Sequence, residues 1–329
     1  MISKEKYIRF CENNPDIELY AKPWWLDVCC GAKNWNVATV VKNDKIVAAL
    51  PFFVKSKSGM KYITVPPRTQ TCGLYIKYPV GIKYQGKLNL ENEMVDLLIN
   101  DIEEYATKNG IVYYQQTFSP ALTNWTPFYR RSYLQTTKYT YRFEKGFTYE
   151  DVWKSYSSGL KNEVKKARKQ LSVRECEDID LMYQLYLKTM ERKSLNSSYS
   201  KQFIDEFHSV CMKHNSCKLY VAEDEEKRVH GVLYIAFDDN WTNYLFGATD
   251  PENRKTNSSS LLIDTALQFS AESGRGFDFE GSVTPGVEEF FRKFGGKQTP
   301  YYSISKIYTK NPVIRIMLIN RLYNILGRN

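Results

Sequence analysis

The chain has 329 residues, 46 Lys and Arg against 37 Asp and Glu, a net charge of +9 and 43% hydrophobic residues. That length accommodates two domains, the balance is that of a folded globular protein, and no stretch reaches the ~18 continuous apolar residues of a membrane span. Seven scattered cysteines, an odd number, argue against a secreted disulfide scaffold and for a reducing cytosol.

The opening Met1-Ile2-Ser3-Lys4-Glu5-Lys6 is charged and lacks an apolar run, so no signal peptide is expected. Pro23-Trp24-Trp25-Leu26-Asp27-Val28 predicts a helix with Pro near its start. Val37 to Val41 and Ile46 to Val54 read as strands joined by a turn at Asn43-Asp44. Tyr62 to Val65 is a short third strand, and Pro66 to Gly73 a loop. Glu91 to Lys108 predicts an amphipathic helix ended by Gly110, with the strand Ile111 to Gln115 after it. A further strand, Tyr139 to Phe143, precedes the expected division of the chain into domains 1–148 and 149–329.

The second half opens on a helix, Ser158 to Leu171, with Leu160, Val164, Ala167 and Leu171 on one face. Its other face is basic, and Glu163 is the one acid between Lys154 and Arg174. A charge run on a helix is ordinarily a solvated face; phosphate contact is the functional reading. Two helices, Ile179 to Arg192 and Ser200 to Lys213, lead to a hairpin over Leu219 to Phe237 and a strand over Thr242 to Ala248. The polar loop Asp250 to Ser260 feeds a helix, Leu261 to Glu272. Phe277-Asp278-Phe279-Glu280 then alternates rings and acids at a strand's period of two, which places both acids on one face. Gly281-Ser282 ends the strand, a short helix carries Phe290, Phe291 and Phe294, and Gly295-Gly296 closes it. Tyr301 to Ile304 is the last strand. The tail from Pro312 to Arg328 is apolar with Arg315, Arg321 and Arg328 interspersed; packing against the second domain and a peripheral membrane contact are its two readings.

The element order of the first half recurs in the second, with Phe128-Tyr129-Arg130-Arg131 falling against Phe290-Phe291-Arg292-Lys293. Tyr113 and Gln115 stand where the second copy has Asp278 and Glu280, so acid–base chemistry on this strand belongs to the second half. Glu280 is the candidate base or amine-binding group and Asp278 its neighbour; the structural alternative is a turn cap or an ion pair with Arg292 or Lys293. Arg292 and Lys293 are placed to meet a phosphate or carboxylate, Tyr301 to line a pocket, and Arg68 and Gln70 to face an acceptor. His208, Cys211, His214 and Cys217 are spaced by three and drift round a helix, so a metal site is not expected there.

This order of elements, with the stretches Phe277 to Ser282 and Phe290 to Gly295, the basic helix Leu160 to Arg168 and the loop Pro66 to Gly73, resembles a tandem of GNAT acyltransferase folds of the FemAB-like type. The resemblance implies an α/β protein of two GNAT-like domains with mixed sheets. It implies a degenerate first domain and transfer of an acyl group from acyl-CoA, acetyl-CoA in the first instance, to an amine on a cell-envelope or polysaccharide precursor. Aminoacyl-tRNA serving a peptidoglycan precursor is the alternative donor, and a non-catalytic binding protein on the same fold the alternative of another class. The net charge of +9 suits an anionic donor or tRNA; DNA is not an expected partner, and the expected location is cytoplasmic or membrane-associated. In the resemblance's donor-binding loop an Arg or Gln precedes two glycines. Here the matching stretch is Arg254-Lys255-Thr256-Asn257-Ser258-Ser259, with Arg254 kept and Asn257 and Ser259 in the glycine places.

Overall fold

The computed structural model describes residues 3–192, 194, 199–282 and 284–326. Met1, Ile2 and Arg328, named above, lie outside that set.

Helices α1 (Lys4–Glu12) and α2 (Pro23–Cys30) precede strands β1 (Trp35–Lys42) and β2 (Lys45–Lys57). Asn43 and Asp44 both have positive φ, +49° and +58°, the geometry of the two-residue turn the sequence predicts between these strands. Strands β3 (Met60–Thr64) and β4 (Tyr75–Ile76) follow, then α3 (Tyr84–Asn109), β5 (Ile111–Thr117), α4 (Thr126–Arg130) and β6 (Leu134–Phe143). Helix α3 starts seven residues ahead of the expected Glu91, because its opening Tyr84-Gln85-Gly86-Lys87 carries a glycine and a single apolar ring and shows no helical period to read.

The chain continues through α5 (Tyr149–Ser155), α6 (Ser158–Ala167), β7 (Ser172–Cys176), α7 (Ile179–Arg192) and α8 (Lys201–Lys213). Strands β8 (Cys217–Glu223), β9 (Val229–Phe237) and β10 (Trp241–Thr249) lead to α9 (Ser258–Glu272) and β11 (Gly276–Asp278). Helix α10 (Pro285–Arg292), β12 (Lys297–Ile307) and α11 (Pro312–Leu326) close it.

Two compact units result: one takes the chain up to Lys138 and again from Pro300, the other Tyr139 to Thr299. The expected division into 1–148 and 149–329 differs from this partition at both ends. The chain changes unit inside β6 and returns inside β12, so Tyr301 and α11 belong with the first unit. The first unit orders its strands β1-β2-β3-β5-β12, antiparallel except for the parallel step β3–β5 that α3 bridges. Its core gathers Leu50, Phe52, Ile63, Leu98, Tyr114 and Phe128. The second orders β7-β8-β9-β10-β11-β6, antiparallel except for the parallel step β10–β11 that α9 bridges. Leu160, Leu233, Ile235, Leu267, Phe279 and Phe294 anchor its core. The same strand grammar in both units is the repeat that the sequence shows.

Candidate functional site

The site begins where β11 leaves β10. The two strands pair in parallel over Trp241–Gly276, Thr242–Phe277 and Asn243–Asp278; β11 then ends, while β10 runs on to Thr249. A register shift between Tyr244 and Phe246 puts a bulge into β10 immediately past the parting. A bulge bends its strand and re-aims side chains. Beyond it β10 turns one edge toward a cavity of ≈ 320 Å³ instead of toward a strand.

Tyr244, Gly247 and Thr249 form the β10 wall. Opposite it stand Glu163 of α6, Arg192 of α7 and Phe290 of α10. A Cβ at position 247 would lie 2.1 Å from the Tyr244 hydroxyl oxygen, so the missing side chain is what admits the phenol. The Tyr244 ring rests edge-on against Phe291 at 5.2 Å, and burial pushes its hydroxyl up to about 12.

Arg254, Asn257 and Ser258 to Ser260 close the cavity at the start of α9. His230 on β9 gathers both ends of this loop. Its carbonyl accepts from Asp250 N at 3.0 Å and from Ser258 Oγ at 3.1 Å, and its Nδ1 shares a hydrogen bond with Thr256 Oγ1 at 3.2 Å. Asn257 takes φ +59° and ψ +31°, the left-handed conformation. Asn is among the few residues besides glycine that visit this region readily. The local backbone that a glycine would give is therefore present although the glycine is not. The first bond into the helix runs from Leu261 N to Asn257 O at 3.2 Å. The amides of Ser258, Ser259 and Ser260 precede it, at the positive end of the helix dipole. Ser259 Oγ shares a hydrogen bond with Thr249 Oγ1 at 2.6 Å, and Ser260 Oγ donates to Glu163 Oε2 at 2.8 Å. Lys293 Nζ stands 4.0 Å from Glu163 Oε1.

The two acids Asp278 and Glu280 separate in role. Asp278 is buried and saturated: Oδ1 accepts from Thr140 Oγ1 at 2.5 Å and from Glu280 N at 2.7 Å, and Oδ2 pairs with Arg142 Nε at 2.6 Å. The Arg142 guanidinium also lies over Trp241, 3.8 Å from the ring centre. Asp278 thus ties β6, β11 and the following turn together. The alternation predicts that Glu280 shares its face, and it does not. The strand has already ended, and Glu280 adopts φ +58° with Gly281 at φ +65°. Only glycine fits position 281, where a Cβ would fall 2.2 Å from the Tyr139 carbonyl oxygen. Glu280 Oε1 is enclosed without a hydrogen-bond partner, and burial pushes the carboxyl well above its ordinary range. A left-handed non-glycine residue holding an unsatisfied carboxyl is the kind of strain that persists where surrounding structure imposes it.

Of the residues named from sequence, Arg254, Asn257, Ser258 and Ser259 meet at the cavity, and Lys293 reaches it through Glu163. Lys255 is exposed and Asp278 and Glu280 do not form the cavity wall. Arg292 faces Glu288 at 3.7 Å. Arg68, Gln70 and Tyr301 lie in the first unit, where the Gln70 side-chain nitrogen is buried without a partner. Sequence reasoning missed Glu163, Tyr244, Arg192 and Phe290 as wall residues. Glu163 had a signal, being a lone acid in a basic run; Tyr244 had none, since nothing local announces the bulge. In the metal-spaced set, His208 Nδ1 meets the Tyr234 hydroxyl at 3.1 Å, and among the described residues no group of three ligands forms.

Residues 154–292 match the family model described as an acetyltransferase (GNAT) domain. The structure resembles that of FemX, with a TM-score of 0.71 at 12% identity over 96% of this chain and 98% of the other. It also resembles L-PGS from Bacillus licheniformis, at TM-score 0.58 and 11% identity over 96% of each chain. A tandem GNAT protein from the clavulanic acid biosynthesis pathway follows at TM-score 0.51 and 10% identity over 84% of each. No curated protein sequence matches. Residues 154–292, most of the second unit, thus match an acetyltransferase (GNAT) domain, and the chain as a whole has a tandem GNAT fold like that of FemX.

Proposed function

We propose that the protein is an N-acyltransferase that takes its acyl group from acyl-CoA and delivers it to an amine on a cell-envelope or polysaccharide precursor. The observation that carries the donor is the left-handed Asn257 leading into the free amides of Ser258 to Ser260, with Arg254 on the same wall. Such a turn at a helix N-terminus binds phosphate through backbone N–H groups. When bound, acyl-CoA supplies an activated thioester. The chain's part is then to hold the diphosphate at α9, to exclude water with Tyr244 and Phe290, and to take up the proton the amine loses. Glu280 is the group proposed for that proton, because its carboxyl sits just past the end of β11 with Oε1 unpartnered and its hold on a proton is strengthened by burial. The envelope acceptor is supported by the fold shared with FemX and L-PGS.

One observation favours aminoacyl-tRNA instead. Lys165, Lys166 and Lys169 are exposed along and just beyond α6, the helix that carries Glu163. A melting experiment separates the donors. Acetyl-CoA is expected to raise Tm and an aminoacyl-tRNA to leave it unchanged, with the rise lost in Arg254→Ala; the reverse pattern selects tRNA. No transfer to any amine, together with Glu280→Gln binding like wild type, would sink both.

A further inference from the structure

The described part of α11 has two apolar faces and only one is used. Ile314 and Leu318 turn inward onto Met60, Tyr62, Tyr113 and Ile307, with Leu318 3% exposed. Val313, Ile316 and Met317 turn outward and are 74%, 59% and 44% exposed. Their spacing of three and four puts them in one stripe. A soluble helix ordinarily carries polar residues there.

The surroundings of that stripe are basic. Lys55 is the cross-strand partner of Tyr62, and Lys57 of Met60. Directly opposed residues share a face of the sheet. Both exposed lysines therefore sit on the side that α11 covers, and Lys310 and Arg315 add two exposed cations on or beside the helix. No Asp or Glu occurs in β2, β3, β5, β12 or residues 308–326, which are the elements that build this face.

We propose that this face docks on an anionic lipid surface, with α11 lying in the membrane plane. An aliphatic ridge flanked by cations and free of acids has the two complementarities an interfacial helix needs, apolar area for the acyl boundary and charge for the headgroups. No helix among the described residues is long and apolar enough to cross a membrane, so α11 lies on the surface. An RNA-binding face would carry aromatic or polar groups between its cations rather than Val, Ile and Met. The inference goes beyond the acyl-transfer reading and depends on neither donor nor acceptor.

The test is co-sedimentation of the full chain with vesicles of phosphatidylcholine alone, or with roughly one-third phosphatidylglycerol. The protein is expected to pellet with the anionic vesicles and not the neutral ones, and to be released by salt. Ile316→Glu with Met317→Glu, and separately Lys55→Glu with Lys57→Glu, are expected to weaken binding by about tenfold or more at unchanged Tm. All four positions are exposed, so the fold does not depend on them. Three results would overturn the proposal: equal pelleting with both vesicles or with neither, a dimer in solution that Ile316→Glu with Met317→Glu dissolves, or tRNA binding lost in both variants without lipid binding in wild type.

Discussion

Asp278 and Glu280 stand two residues apart and do opposite things. Every lone pair of Asp278 that the structure exposes to a donor is used, whereas Glu280 holds an oxygen that nothing answers. The unfolded chain gives Glu280 an ordinary carboxyl near ~4.3, and the folded chain raises it. The folded state therefore binds the proton more tightly. Stability that Glu280 contributes is complete below the unfolded value and is lost as pH rises through the folded one. Glu280→Gln carries a neutral group at every pH. Its Tm is expected to equal that of wild type near pH 4 and to exceed it increasingly toward neutral pH. A difference that stayed constant with pH would show that the carboxyl is not buried uncharged. The sequence made both acids visible as a pair. It could not show their divergence, because the turn that holds both Glu280 and Gly281 at positive φ runs close against the Tyr139 carbonyl, a segment far away in the sequence.

At the scale of an element, α9 and its loop show how a motif survives the loss of its letters. The loop was legible as polar and the helix as apolar, but Ser258 to Ser260 read as loop and turn out to be the first helical turn. Serines there keep short side chains on Glu163 and Thr249 while their amides stay in front of the helix. If conformation rather than the amide side chain of Asn257 makes the site, Asn257→Gly keeps acetyl-CoA binding. Asn257→Val, a β-branched residue forced to positive φ at a cost of roughly 1–3 kcal/mol, abolishes it. Calorimetric titration of both variants checks this, and equal losses in the two would assign the role to the side chain instead. Helix α5 and strand β7 escaped the sequence reading for a related reason. Both are short, and β7 alternates too little buried surface to show a period.

For the molecule as a whole, the unexpected feature is that the chain leaves the first unit inside one strand and returns inside another. Hydrophobic periodicity finds strands but does not say which unit a strand serves, so a cut drawn at a turn-like stretch, 148/149, looked natural. The paired residues argue otherwise. Phe143 and Arg142 of β6 pair with Phe277 and Asp278, and all four belong to the second unit. A fragment spanning 149–329 would lose Thr140 and Arg142, leaving Asp278 without its cation and with the Glu280 amide as its remaining donor. Breaking a buried pair in this way costs about 3–5 kcal/mol, a large share of the ~5–15 kcal/mol that holds a domain folded. It would also carry Ile304 and Leu318 away from the first-unit residues they pack on. A fragment spanning 139–299 keeps the Asp278 pair and the whole Leu160-to-Phe294 core. The shorter fragment is therefore expected to melt cooperatively and the longer one to show little or no transition by circular dichroism. Cooperative melting of 149–329 at the same temperature would instead mean that β6 is dispensable and that Asp278 finds another partner.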